Sequence, residues 1–222
     1  VRTNGDFVVS ESIAVTAMGQ SIQRGIFRAL PRYFGDEENH RFEYRYDVMS
    51  VTRNGREEPY ETYSEDNAYY IRIGDPDIYL PRGERQTYEI RYLVRNQVRY
   101  NESFDELYWN VTGSYWDFPI DKASVTARFP DGVSFQDVSL YTGALGSTGS
   151  DARADILDNS VQARITRALG RQEGFTVSVS FDKGLIDPPS AADKFDLWQQ
   201  LWLGLVLLAA SLFGVVFFYY QS

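Results

Sequence analysis

The sequence contains no cysteine and a single histidine, His40, among its 222 residues. Without cysteine the chain has no disulfide, no thiolate nucleophile and no cysteine-based metal site. His40 stands in the polar run Asp36-Glu37-Glu38-Asn39-His40, where no second histidine could share a metal ion. A Ser-His-Asp triad would need a serine in a strained turn, and no Gly-x-Ser-x-Gly motif occurs. We therefore expect no enzyme, no metal site and no cofactor.

Basic residues are also scarce. The chain has 22 Lys+Arg against 31 Asp+Glu, which gives a net charge of −9. A protein that binds nucleic acid needs a basic stripe that displaces counterions from phosphates. The charge balance therefore argues against a nucleic-acid partner.

Charge disappears altogether in the C-terminal stretch, since no Asp, Glu, Lys, Arg or His follows Asp196. Residues 201–220 are almost entirely apolar, and about 20 such residues span the roughly 30 Å of a bilayer core. Trp198 and Trp202 stand at one end and Tyr219 and Tyr220 at the other, as in an aromatic belt. The pattern predicts a transmembrane helix over 197–220, a linker over 188–196, and the lipid bilayer as a partner.

Small residues interrupt this apolar stretch at Gly204, Ala210 and Gly214. In lipid, small residues let a neighbouring helix approach closely. We therefore expect a membrane-protein partner or self-association through this helix. The alternative is ordinary membrane composition.

The rest of the chain is rich in strand-forming residues, with 16 Tyr and 14 Phe. Several segments alternate apolar and polar residues with the period of two that half-buried strands show. The predicted strands are 7–15, 42–51, 68–73, 87–94, 107–111, 124–129, 133–141, 153–157, 161–165 and 175–181.

Turn signals separate these segments, and Asn54-Gly55 favours a type I′ hairpin. No long amphipathic helix precedes the membrane segment. The pattern predicts a mainly β fold, with a β-sandwich over 1–187 and one C-terminal transmembrane helix. The β region is either one sandwich or two packed sandwich-like modules with a boundary near Pro119.

Two clusters could form a ligand or partner surface. In the first, acids flank aromatic rings in a pattern that suits a sugar-binding cleft or a glycoside hydrolase. Its members are Glu106, Tyr108, Trp109, Tyr115, Trp116 and Asp117. The alternative is that Trp109 and Trp116 fill the β core while the acids cap turns.

The second cluster is Arg24 and Arg28 on either side of Gly25. Glycine permits close backbone approach, and arginine can hold a carboxylate or another anion with two parallel hydrogen bonds. The alternative is a structural turn in which Ile26 and Phe27 pack inward and both arginines pair with nearby acids.

Three stretches together carry a family resemblance: residues 24–31 (RGIFRALP), 73–92 (IGDPDIYLPRGERQTYEIRY) and 106–120 (ELYWNVTGSYWDFPI). In this order before a hydrophobic segment, they resemble the YciQ-like predicted membrane proteins. The N-terminal module of that family is a domain of unknown function, DUF2207. The resemblance implies a signal peptide upstream, an extracytoplasmic β domain, a membrane anchor and further chain beyond it. It implies no catalytic residues.

These observations favour a membrane-anchored binding or docking module of a bacterial envelope complex. The resemblance implies the cytoplasmic membrane, with the N-terminal domain on the periplasmic side. A flank poor in lysine and arginine, with Asp187, Asp193 and Asp196 against Lys194, agrees with that orientation. The alternatives are a carbohydrate or peptidoglycan binder or hydrolase that uses Tyr108–Asp117, and the ectodomain of a membrane sensor.

Overall fold

The computed structural model describes residues 1–35, 41–95, 97–188, 202 and 206, with residues 34, 41 and 42 given by their backbone. Contacts group Val1–Ile186 into one compact unit, and a second unit begins at Asp187. The second unit is described only at residues 187, 188, 202 and 206, of which Trp202 and Val206 are helical. In the described part of the chain, no helix is long and apolar enough to cross a membrane. Most of the predicted helix lies outside the described residues, as do its packing residues Gly204, Ala210 and Gly214, most of the linker, and His40.

The first half of the compact unit contains two sheets and a short hairpin, all antiparallel. One sheet has the order β1-β9-β5-β6, the other β2-β8-β7, and β3 pairs with β4. The strands are β1 (Phe7–Thr16), β2 (Ile26–Pro31), β3 (Tyr33–Gly35), β4 (Arg41–Glu43), β5 (Arg45–Arg53), β6 (Arg56–Glu57), β7 (Tyr60–Glu65), β8 (Ala68–Ile73) and β9 (Arg85–Arg95).

The second half contains two further antiparallel sheets, of order β10-β11-β16-β13 and β12-β15-β14. The strands are β10 (Val98–Tyr100), β11 (Asp105–Asn110), β12 (Ser124–Arg128), β13 (Phe135–Ala144), β14 (Ala152–Leu157), β15 (Ser160–Ile165) and β16 (Glu173–Phe181). Strand pairing therefore changes between Arg95 and Val98, well before Pro119. We call residues 1–95 the N-terminal half and residues 97–186 the C-terminal half.

The mainly β prediction is confirmed, and the period of two explains the packing. In β9 the alternate residues Tyr88, Ile90, Tyr92 and Val94 are all buried. Tyr46 of β5 stacks on Tyr69 of β8 with ring centroids 5.3 Å apart, so the two N-terminal sheets pack against each other. In the C-terminal half, Phe129 after β12 packs edge-on against Phe181 of β16 at 5.2 Å.

The predicted hairpin at Asn54-Gly55 is also present. Both residues have positive φ, 53° and 77°, and they join the paired residues Arg53 and Arg56. That combination defines a type I′ turn, which matches the twist of the flanking strands. The predicted strand 42–51 is interrupted at Tyr44, whose amide bonds the Arg32 carbonyl at 2.9 Å outside the ladder.

Tyr88 gives the fold a testable pH dependence. Its side chain is buried, and its hydroxyl has no hydrogen-bond partner among the described residues. Burial raises the pKa of Tyr88 to about 12, opposed by Arg53 and reinforced by Glu58. An unfolded tyrosine titrates near pH 10, so the stability that the neutral phenol contributes is complete below about pH 10 and is lost as the pH rises towards 12.

We therefore expect Tyr88→Phe to unfold less readily than wild type in alkali, with a similar melting temperature at pH 8. The loss of unfolding free energy per pH unit above pH 10 should become smaller by about 1.4 kcal/mol, the equivalent of one proton. Thermal unfolding by circular dichroism between pH 8 and 11.5 measures this, with the full chain in detergent. Parallel curves for the two proteins would show that Tyr88 does not titrate in this range.

Candidate functional site

A buried ion pair joins the two sheets of the N-terminal half. Arg28 of β2 donates from Nε and Nη2 to the two carboxylate oxygens of Glu11 in β1, at 2.8 and 2.9 Å. Their side chains are 2% and 11% exposed, so water screens the pair little. The Tyr92 hydroxyl also donates to the Glu11 carboxylate. The Glu11 carboxylate thus accepts a bidentate interaction from the Arg28 guanidinium and a further hydrogen bond from the Tyr92 phenol.

The same arginine ties the N-terminal half to the C-terminal half. Its Nη2 donates to the carbonyl of Val111 at 3.2 Å, and its Nη1 to the carbonyl of Thr112 at 3.3 Å. Gly113 follows with φ of 78°, and a Cβ there would lie 2.6 Å from Arg28 Nη1. Glycine is therefore needed at 113 both for its backbone conformation and for the room it leaves to the guanidinium.

The charges in this network stay fixed over the physiological pH range. Burial lowers the pKa of Arg28, but the charge and hydrogen bonds of Glu11, together with Tyr92 and Tyr46, raise it by more, so the net shift is upward. Burial, followed by the negative charge of Glu11, raises the pKa of Tyr92 well above its usual value. Arg28 is therefore charged and Tyr92 neutral. Such fixed charges suit a rigid connection between the halves. A group that transfers protons would instead have a pKa near the working pH.

Trp109 of β11 lies at the same junction. Its ring meets Phe7 of β1 edge-on at a centroid distance of 5.3 Å and lies 6.4 Å from Tyr92 of β9. The side chain is buried. Alternation along β11 turns Leu107 and Trp109 inward, so Trp109 packs in the core of the junction, as the alternative to its place in the predicted cluster expected.

Beside this junction runs a groove of about 1560 Å³ between β1 and β12. Every residue of β1 and every residue of β12 lines it. Because successive side chains of a strand point to opposite faces, a cavity that meets all of them in turn must lie along the edge of the strand. Both strands are the last in their sheets, and they do not pair with each other.

The hydrogen bonds identify which backbone groups of β1 face the groove. Ala17, just after β1, donates its amide to Glu84 at 3.0 Å, and on the far side of β9 Asn54 donates to the Thr87 carbonyl at 2.8 Å. In an antiparallel ladder, alternate residues direct both backbone groups to the same neighbour. The odd-numbered residues of β1 therefore bond β9, and the free edge consists of Val8, Ser10, Ser12, Ala14 and Thr16.

The same reasoning applies to β12. Phe129 donates its amide to Asn159 at 2.8 Å, and Ala123 accepts from Ile165 at 3.1 Å, so odd-numbered residues bond on the β15 side. Ser124, Thr126 and Arg128 therefore present their backbone groups to the groove. The N-terminal ammonium of Val1 donates to the Arg128 carbonyl, which shows that this edge can be reached by a donor.

The floor of the groove is apolar and its rim carries charge. Half-buried side chains on the floor include Val9, Ile13, Trp116, Val125 and Ala127. The charged residues around it are six basic ones, Arg85, Lys122, Arg128, Arg164, Arg167 and Arg171, and three acidic ones, Glu11, Asp117 and Asp121.

Ion pairs neutralise some of these charges and leave the rim with an excess of positive charge. Glu11 is neutralised by Arg28, while Arg164 and Arg167 bond Asp155, Asp151 and Glu173. The other four basic side chains form no ion pair within the described part of the chain. The groove is thus locally basic on a chain of net charge −9.

The two predicted arginines do not form one anion site. Arg24 is exposed and lies over the ring of Tyr79, 4.1 Å from its centroid, and also donates to the Tyr79 hydroxyl. Arg28 is buried, so the prediction that it belongs to a ligand surface is corrected. The carboxylate that it binds is that of Glu11 in the same chain. Gly25 does permit close approach, and the partner is the backbone of β8, since a Cβ at 25 would lie 1.8 Å from the Ile73 carbonyl oxygen. Ile26 packs inward as the alternative expected, whereas Phe27 is 52% exposed.

The predicted sugar cleft is divided between two faces. Glu106 and Tyr108 lie on the face of β11 opposite Trp109, where Glu106 bonds Ser178 at 2.5 Å and Arg99 at 3.3 Å. Tyr115 is exposed, whereas Trp116 and Asp117 line the groove. Trp116 donates its indole N–H to the Thr112 carbonyl at 2.7 Å. Within the described residues, no three Asp, Glu or His side chains come together as a metal site.

The groove was not predicted from the sequence, although three of its lining residues, Trp109, Trp116 and Asp117, were among the predicted site residues. Its edge residues and its unpaired basic residues carry no local motif. One signal was available: Glu11 is an acid at an inward position of an alternating strand, which calls for a buried cationic partner.

Comparison with known proteins agrees with the resemblance drawn from the sequence. The DUF2207 family, described as the N-terminal domain of a predicted membrane protein, matches residues 1–181. The chain belongs to this family. It is 29% identical over 205 residues to the uncharacterized protein YciQ of Escherichia coli (strain K12), which covers 91% of this chain. The chain spans 32% of that relative's length. No solved structure matches it.

Proposed function

We propose that this DUF2207 chain is a non-catalytic docking module on the extracytoplasmic face of the bacterial cytoplasmic membrane. The observation that carries the proposal is the groove, in which two unpaired strand edges flank an apolar floor. A buried ion pair and a buried tryptophan fix the strands on either side. Such a cleft can receive a partner without reorganising, which lowers the cost of binding.

Membership of a family of predicted membrane proteins supports the membrane part of the proposal. The anchor is the apolar stretch 197–220, whose length suits a bilayer. Through Gly204, Ala210 and Gly214 the helix packs against a second membrane helix, from a partner protein or another copy. Docking of the β unit and packing of the helix then act together on a partner in the same membrane.

The test uses the full-length gene product in its native membrane. A photoreactive side chain at Ala14, on the free edge of β1, should cross-link to one envelope protein that also co-purifies without cross-linking. The same group at Leu157, exposed on β14, is the matched control and should not capture it. Gly214→Leu keeps the helix apolar but fills its small face, so co-purification should fall while membrane insertion stays unchanged.

Two results would contradict the proposal. One is equal capture from Ala14 and Leu157, which would mean random collision. The other is turnover of cell-wall glycans or peptides by the purified protein, which would make it an enzyme. If Gly214→Leu retains the same partners at the same apparent size, the helix serves only as a tether.

A further inference from the structure

The free edge of β1 lacks the features that normally protect an edge strand. Natural edges are kept from pairing with other chains by charged side chains, proline, bulges or very short strands. β1 is ten residues long, contains no proline, and pairs with β9 without a bulge. Its only charged residue, Glu11, points inward to Arg28. The edge residues Ser10, Ser12 and Ala14 have small, exposed side chains, which leave the backbone accessible.

The opposite wall repeats this arrangement over a shorter length. β12 contributes Ser124 and Thr126 to the edge, both with exposed side chains. Two free edges that line one cavity form a site for an added strand, whose main-chain bonds supply affinity, and the edge of β1 is the longer and less protected of the two. The half-buried Val9, Ile13, Val125 and Ala127 provide an apolar surface for alternate side chains of such a strand.

Charge indicates the chemistry of that strand. Arg85, Lys122, Arg128 and Arg171 line the groove without an ion pair in the described part of the chain, and only Asp117 and Asp121 oppose them. Charge complementarity steers association and favours one partner over another. A strand with acidic side chains at alternate positions would place them against this rim and its apolar residues on the floor.

We propose that the groove binds an extended, acidic peptide segment of a partner protein, which adds a strand to the free edge of β1. The inference rests on the proposed docking function and specifies what is docked. The backbone amides of Ser10, Ser12 and Ala14 donate to the peptide, and their carbonyls accept from it. The unpaired basic residues of the rim select acidic side chains over basic ones.

The experiment measures peptide binding to the full chain in detergent by fluorescence anisotropy. The probes are four labelled ten-residue peptides: alternating Val and Glu, alternating Val and Lys, and the Val-Glu peptide with alternate amides N-methylated in either of the two registers. The first should bind saturably and at least tenfold more tightly than the second. N-methylation should abolish binding when it falls on the amides that face β1, so both methylation registers are used.

Two protein variants test the geometry. Ser12→Pro removes an amide that does not bond β9, so proline is tolerated at this edge while the added strand loses a donor. Ser12→Ala keeps the amide and is the matched control. Ser12→Pro should weaken binding of the Val-Glu peptide at least tenfold, and Ser12→Ala should weaken it less than twofold. The two variants should have similar melting temperatures. Hydrogen exchange should show new protection in residues 8–16 when the peptide is bound.

Several outcomes would overturn the inference. Absence of saturable Val-Glu binding at millimolar peptide excludes strand addition, and equal affinity for the Val-Lys peptide excludes acidic selection. If anionic vesicles displace the peptide and their binding is unaffected by Ser12→Pro, the basic rim binds lipid headgroups instead of a peptide. A dimer that Ser12→Pro converts to a monomer would make the occupant a second copy. Each of these can occur while the full-length protein still co-purifies with a partner, so the docking function is judged separately.

Discussion

Arg28→Met should destabilise the protein by about 3–5 kcal/mol, because it leaves the Glu11 carboxylate buried without its counter-ion. The change also removes the donors that the Val111 and Thr112 carbonyls receive across the two halves. For a protein of this size the loss corresponds to a fall in melting temperature of roughly 6–20 °C. Thermal unfolding of the full chain in detergent, followed by circular dichroism, measures it.

The matched control is Arg32→Met. Arg32 bonds Glu43 at 2.9 Å, about the same distance as in the buried pair, but both side chains are about one-third exposed. An exposed pair contributes about 0–1 kcal/mol. The double variant Arg28→Met/Glu11→Leu should recover part of the stability, since no charge is left buried. Equal, small effects of Arg28→Met and Arg32→Met would show that the buried pair does not hold the halves together.

Where a structural feature depends on a few neighbouring residues, the sequence alone predicted it. The alternation of Tyr88, Ile90 and Tyr92 predicted a strand with one buried face, and the structure has it. Asn54-Gly55 predicted a turn type because few residues adopt positive φ at two successive positions. Both inferences depend on a few neighbouring residues.

β2 shows where such reasoning stops. Its inward-facing residues are Ile26, Arg28 and Leu30, and the arginine in the middle breaks the apolar alternation. The sequence therefore predicts no strand here, and favours either an anion site made by two arginines or a structural turn whose arginines pair with nearby acids. The partner that makes Arg28 an interior residue, Glu11, lies 17 residues away on a strand of another sheet. Only the packing of the two sheets reveals the pairing.

The groove is even harder to predict from local sequence pattern than the buried Arg28. An edge strand is defined by what does not pair with it, and that depends on the order of all strands in the sheet. The unpaired rim residues Arg85, Lys122, Arg128 and Arg171 come from separate loops and strand ends, so no short motif contains all of them. Trp116 was predicted in the right region because aromatic residues beside acids are conspicuous, whereas Ser10 and Ser12 are not.

The three stretches that carry the family resemblance meet in the structure. Arg28, in the first, donates to Thr112, in the third. Tyr92, at the end of the second, bonds the same carboxylate as Arg28. Gly25 and Gly74, in the first and second, pack backbone to backbone. The stretches therefore describe one structural junction between the halves, and the groove lies beside it.

Trp109→Ala tests that junction from its apolar side. The side chain is buried between Phe7 and Tyr92, so the substitution removes a large ring and leaves a cavity where the halves meet. Such a change costs about 3–5 kcal/mol. We expect the melting temperature to fall by roughly 6–20 °C, and limited proteolysis to cleave the chain faster between the two halves, near residues 95–98. Trp109→Phe, which retains an apolar ring, should lower the melting temperature clearly less than Trp109→Ala does.

Tyr115→Ala is the matched control, because Tyr115 is six residues away and 70% exposed. A surface substitution of this kind changes stability by about 0.5 kcal/mol or less. If Trp109→Ala melts within a degree or two of wild type, the ring does not hold the halves together. A ring that can be removed at no cost in stability would then be a candidate for ligand contact at the floor of the groove, which it also lines. If instead Trp109→Ala melts early and Tyr115→Ala does not, Trp109 holds the junction between the halves, and peptide binding has to be tested at the strand edges and the basic rim.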